Sequence, residues 1–174
     1  LHSRGWRERK GRDDPRRGSA PHGGEQIAKD ALGGAAKTLN HSGQTSAAAV
    51  ALTATDAINN SGSLVANNLA LHAAQINNTA QIQGTQALNL QADRLDNQAT
   101  GTIYTARDLI PNIPQLHNSG TIQALSLSTT GDVLQHDGTL LAATGLWLRP
   151  GPPDNRGNLA AHGQLTANGT PPRH

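Results

Sequence analysis

Two kinds of side chain in this sequence could do chemistry: histidines, which bind metals or move protons, and carboxylates, which work in pairs. The chain has eight histidines, and His41, His72, His117, His136 and His162 are spread through its repetitive part. No two stand at the i, i+4 spacing that sets two ligands on one helix face, and none adjoins a carboxylate cluster in the sequence. They are expected to be solvated turn histidines. Glycoside hydrolysis needs two carboxylates within about 5–10 Å. Asp56, Asp93 and Asp132 share one offset of the repeat described below, and Asp96 and Asp154 share another. Both sets skip units, which places neighbours about 10 Å or more apart along a stack. An isolated Asp at a turn usually bonds its own backbone. No catalytic residue, metal ligand or cofactor is expected, and the chain reads as no enzyme.

Composition narrows the classes further. With no Cys, neither disulfides nor thiolate metal sites can form. With no Phe or Met, two Trp and one Tyr, the apolar interior must be made of Leu, Ile, Val and Ala. That suits a thin, elongated core rather than a compact one. Residues 1–17 carry seven Lys and Arg (Arg4, Arg7, Arg9, Lys10, Arg12, Arg16, Arg17) against three carboxylates, a net +4. The rest carries seven basic and nine acidic side chains, a net −2. The basic charge therefore belongs to a tail that reads as disordered, not to a nucleic-acid-binding body. No apolar run reaches the roughly 20 residues of a membrane span, and LHSRGWRERKGRDD has no signal-peptide core.

The elements that position these residues follow from a repeat. LNHSG starts at 39, INNSG at 58, INNTA at 76, LDNQA at 95, LHNSG at 116, LQHDG at 134 and PDNRG at 153, at intervals of 19, 18, 19, 21, 18 and 19 residues. The first position is apolar, as in Leu39, Ile58, Ile76, Leu95, Leu116 and Leu134. The third is Asn60, Asn78, Asn97, Asn118 and Asn155, with His41 and His136 in the other units. The fifth is Gly43, Gly62, Gly120, Gly138 and Gly157, with Ala80 and Ala99 as replacements. Further apolar residues follow at i, i+2 spacing, such as Leu69/Leu71 and Leu146/Leu148.

Alternation at i, i+2 is the strand signature. Strands this short cannot bury an apolar face alone, so each unit must stack on the next, with coils about 4.8 Å apart. The expectation is an all-β fold: a right-handed parallel β-helix of about seven coils with a repeat near 19 residues. The repeats fill 37–169, between a disordered basic tail at 1–36 and a C-terminal tail at 170–174. Ala47–Ala54 favours helix by propensity but sits in strand register. Asn and Gly form a turn ladder, with left-handed backbone at the corners and amides stacked along the rod. A left-handed hexapeptide helix is the competing form, and it would require every coil to be a whole multiple of the hexapeptide, which most of the intervals are not. IPNIP at 110–114, in the longest unit, predicts a loop leaving the rod over Pro111, Asn112, Ile113 and Pro114, because Pro cannot donate to a ladder. Trp147 is expected as core filler, with a strand-edge anchor as the alternative.

INNSGSLVANNLALHA (58–73) and LHNSGTIQALSLST (116–129) resemble the repeat of filamentous haemagglutinin-type exoproteins. The resemblance covers roughly 37–169. It implies a right-handed parallel β-helix and export by the two-partner route through an outer-membrane transporter. It further implies residence in the secreted or outer-surface fraction of a Gram-negative bacterium. Such proteins are adhesins, haemolysins or contact-dependent growth-inhibition toxins, and the repeats form their stalk. The family's secretion domain is not among these residues, so the chain reads as a fragment or a gene remnant. The leading functional expectation is an adhesin segment that meets a receptor or glycan on a host or neighbouring cell. The second is a toxin stalk, and the third is a β-helical carbohydrate-active enzyme. Open coil ends would favour self-association.

Overall fold

The computed structural model describes residues 19–22, 25–27, 31–129, 131, 133–149 and 156–167. Every strand among them pairs in parallel with one from the preceding or following unit, and together they form a β-solenoid of about seven turns. No described residue is helical, so no helix is long and apolar enough to cross a membrane.

Each coil visits three faces. On the first face lie Ser19–His22, 38–41, 57–60, Gln75–Asn78, Arg94–Asn97, Gln115–Asn118 and Val133–His136. The second face carries Glu25–Ile27, 44–47, 63–66, 81–84, Thr102–Thr105, 121–124, 139–142 and Asn158–Ala161. The third carries 31–34, 49–53, 68–72, 87–91, Asp108–Leu109, 126–129, 145–148 and Gln164–Ala167. Ala47–Ala54 lies within the strand Gln44–Asn60, because stacked packing outweighs an isolated helix propensity.

The core is a set of side-chain columns. Ile58, Ile76 and Leu95 stack on the first face, Leu64, Ile82 and Ile103 on the second, and Val50, Leu69 and Leu127 on the third, all buried. Burying each of the larger aliphatic side chains is worth about 1.5–3 kcal/mol. Shorter and longer intervals coexist because register shifts at the corners absorb the difference, between the third and first faces at Ala36/Thr38 and between the second and third faces at Ala66/Asn68. Ala66 pairs with Gly84, and the register then shifts so that Asn68 pairs with Ala87.

Three expectations change. First, strands begin before residue 37: Ser19–His22 pairs with 38–41 and Glu25–Ile27 pairs with 44–46. The predicted tail at 1–36 therefore includes paired strand, while residues 1–18 and 170–174 lie outside the described residues. Second, Pro111–Pro114 does not leave the rod. Asn112 pairs with Gln91, Asn112 N donates to Leu90 O at 3.2 Å, and Ile113 is 4% exposed in the core. Pro111 is buried too, and the two prolines sit where no ladder donor is needed. The long unit's two extra residues enter instead between Asn97 and Thr102. There Gly101 N donates to Gln98 O at 2.7 Å and closes a small turn. Gly101, not Ala99, consequently takes the glycine place in this coil, and the next amide, Thr102 N, donates to Ala80 O at 2.8 Å. Third, Trp147 is only half-buried. Leu146 and Leu148 point into the core, and the Trp147 ring lies outside them against Gly145, which has no Cβ to obstruct it.

Candidate functional site

The first corner gathers the most polar chemistry inside the rod. Strand alternation turns residues 41, 60, 78, 97, 118 and 136 inward, where His41, Asn60, Asn78, Asn97, Asn118 and His136 are all buried. A buried amide must find partners, and here each finds them in the next coil. Asn60 Nδ2 donates to Asn78 Oδ1, Asn78 Nδ2 to Asn97 Oδ1 and Asn97 Nδ2 to Asn118 Oδ1, each at 2.8 Å. The second proton of each amide serves backbone carbonyls: Gly62 and Gln81 for Asn60, Gly101 and Thr121 for Asn97, Gly120 and Thr139 for Asn118. Those carbonyls fix which end of each amide is nitrogen, so the ladder runs one way.

The direction sets both histidine tautomers. His41 Nδ1 lies 2.6 Å from Asn60 Oδ1 and must donate, while Nε2 accepts from Thr45 Oγ1 at 2.7 Å. His136 is the reverse: Nδ1 accepts from Asn118 Nδ2 at 3.3 Å and Nε2 donates to Asn158 O at 3.1 Å. Burial pushes both imidazoles below their ordinary pKa. The Asn60 bond partly opposes this at His41, and backbone bonds with the Asp137 charge do so at His136.

The asparagines are not left-handed corner residues, as the sequence suggested. Among the described residues no non-glycine has positive φ, and Gly43, at 87°, is the glycine that does. The column is Gly43, Gly62, Ala80, Gly101, Gly120, Gly138 and Gly157, and carbonyls of Gly43, Gly62, Gly101, Gly120 and Gly138 accept from the next coil. Gly138 is needed for closeness: a Cβ there would run into Gly120 O. Asn155 lies outside the described residues, as do Asp132 and Asp154.

On the outward side of the first face, side chains also pair from coil to coil. Asn59 Nδ2 donates to Asn40 Oδ1 at 2.8 Å and Asn77 Nδ2 to Asn59 Oδ1 at 2.7 Å. Further along, His117 lies between two carboxylates, Nδ1 at 3.3 Å from Asp96 and Nε2 at 3.7 Å from Asp137. Sequence spacing missed this group because its members sit on three consecutive coils. Ser119 Oγ is 3.3 Å from His117 Nε2, which gives the order of a hydrolytic triad. The amides that would stabilise an oxyanion are already used, since Ser119 N and Gly120 N both donate to Asn97 O. No group of three or more ligands for a metal ion occurs among the described residues.

Fold and ladder together define a repeat segment of a β-solenoid. Its similarities point to one set of larger proteins. Over 130 residues, 70% of this chain, it is 45% identical to the Toxin CdiA of Escherichia coli. Over 145 residues it is 43% identical to a tRNA nuclease CdiA of Escherichia coli strain STEC_O31. Over 90 residues it is 39% identical to the Deoxyribonuclease CdiA of Dickeya dadantii. The chain spans only 3–4% of the length of these relatives. No family model matches it, and neither does any solved structure.

Proposed function

We propose that the chain is a stalk segment of an exported CdiA-type toxin, carrying a distant active domain and doing no catalysis itself. The observation that supports this most is the 45% identity over 130 residues to a protein named as a toxin, in a stretch that folds as stacked coils. On this reading the partners are an outer-membrane two-partner-secretion transporter and the surface of a neighbouring cell, and the chain resides on the outer surface of a Gram-negative bacterium. A stalk needs regular rungs that hold length and direction, which the amide ladder provides.

The reading is tested by a graft. This chain replaces its aligned segment in the Escherichia coli toxin CdiA, and surface display and inhibition of neighbouring cells are measured. Display and inhibition at the level of the unaltered toxin are expected. Loss of display by a stably expressed graft would refute the reading. An adhesive role is the second reading, favoured by the unpaired polar strip described next.

A further inference from the structure

The third corner, where each coil passes from its third face back to its first, carries an open groove of about 440 Å³. That volume falls in the range of about 300–1,000 Å³ typical of ligand sites. Its floor is shallow because the inward residues are Ala54, Ala73 and Ala92. Thr53, His72, Gln91 and Asn112 form its outer row, one from each of four successive coils in pairing register. At about 4.8 Å per coil the row is roughly 14 Å long.

Some outward polar groups satisfy one another between coils, as in Asn77–Asn59, Thr85–Asn67 and Ser126–Asp108. Along the groove Thr53, His72, Gln91, Asp93 and Asn112 are exposed, and none makes a side-chain hydrogen bond within the described residues. Their donors and acceptors are free for an outside molecule. Asp93 is the one carboxylate in the lining and no Lys or Arg joins it, which disfavours a polyanion. The backbone is committed: Ala73 N bonds Gln91 O, Ala92 N bonds Asn112 O, and Gln115 N bonds Asp93 O. A peptide therefore finds no strand edge to extend.

We propose that this groove binds an uncharged polyhydroxylated chain, a neutral glycan, lying along the stack and held by the Gln91 and Asn112 amides, the His72 ring and the Thr53 hydroxyl. The proposal deepens the cell-surface reading above and rests on it for its biological meaning. Its test uses the purified chain alone, so its failure is separate from failure of the graft.

Maltoheptaose, cellohexaose and a linear mannohexaose serve as neutral probes in calorimetric titration, with a heparin hexasaccharide as the charged comparison and an uncharged Ser/Thr/Asn-rich decapeptide as the peptide comparison. Saturable binding of at least one neutral oligosaccharide is expected. Gln91→Ala with Asn112→Ala should weaken it about tenfold, which is about 1.4 kcal/mol for the two lost hydrogen bonds. Asn67→Ala, away from the groove, should leave affinity unchanged, and matching melting curves establish that each variant is folded. Binding of no neutral probe, preference for heparin or the decapeptide, or affinity unaffected by the double substitution would each overturn the proposal.

Discussion

Asn97 Nδ2 reaches Asn118 Oδ1 at 2.8 Å across 21 residues of chain, the distance at which Asn78 reaches Asn97 across 19. The two additional residues are absorbed in the 98–101 turn, so the rung-to-rung contact is unchanged. The core amides, not the loop lengths, set the stacking.

If so, Asn97→Ala should be costly. It removes the acceptor of Asn78 and the donor to Asn118, together with bonds to the Gly101 and Thr121 carbonyls. A loss of about 2–4 kcal/mol in urea unfolding is expected, from several neutral bonds at roughly 0.5–1.5 kcal/mol each and orphaned buried groups. A cost no greater than that of Asn59→Ala, on the outer ladder, would show that the inner ladder is not what holds the rungs.

Acid should weaken the stack. Both ring nitrogens of His136 are engaged, one as acceptor and one as donor, and a second proton would face the Asn118 amide hydrogens. Its folded pKa is depressed by burial, so the unfolded chain binds the proton more readily. Stability is then fully present above the ordinary value of 6.5 and declines as pH falls below it toward the lower folded value. His41 acts in the same direction, and its Thr45 hydroxyl can turn to accept. Melting temperature followed from neutral to mildly acidic pH should drop, and His136→Asn, which supplies an amide as the other rungs do, should reduce the drop.

Thr129 offers a stabilising substitution. Its Oγ1 is buried without a hydrogen-bond partner, in a column that continues as Leu148 in the next coil. Thr129→Val keeps the shape and removes the stranded hydroxyl, and should raise stability by about 1 kcal/mol. An unchanged or lowered midpoint in chemical denaturation would contradict this.

The 110–114 segment can be checked by contrast. Ile110 is 67% exposed and Ile113 is 4% exposed. Ile113→Ala should cost about 2–5 kcal/mol and Ile110→Ala well under 1. Similar small effects at both positions would restore the protruding loop.

Much of this was legible beforehand. Ile58, Ile76 and Leu95 mark a column because a stacked apolar residue has no other place to go, and seven copies make the interval visible. Pro111 and Pro114 misled because a missing donor was read as a break, whereas Ile113 between them anchors the segment in the core. The position of the insertion was hidden because Ala99 lies at the expected offset and Gly101 takes the role. His117 with Asp96 and Asp137 could not be found by neighbouring offsets, since stacking joins residues a whole coil apart. Aligning the units in register and reading down the columns would have shown Asp96 beneath His117.

The one-way amide ladder also bears on how such genes change length. Asn78 and Asn97 present the same groups upward and downward, so excising the stretch between equivalent points joins two compatible rungs. Unequal recombination at any place in the repeat would then delete or duplicate whole coils without leaving a seam.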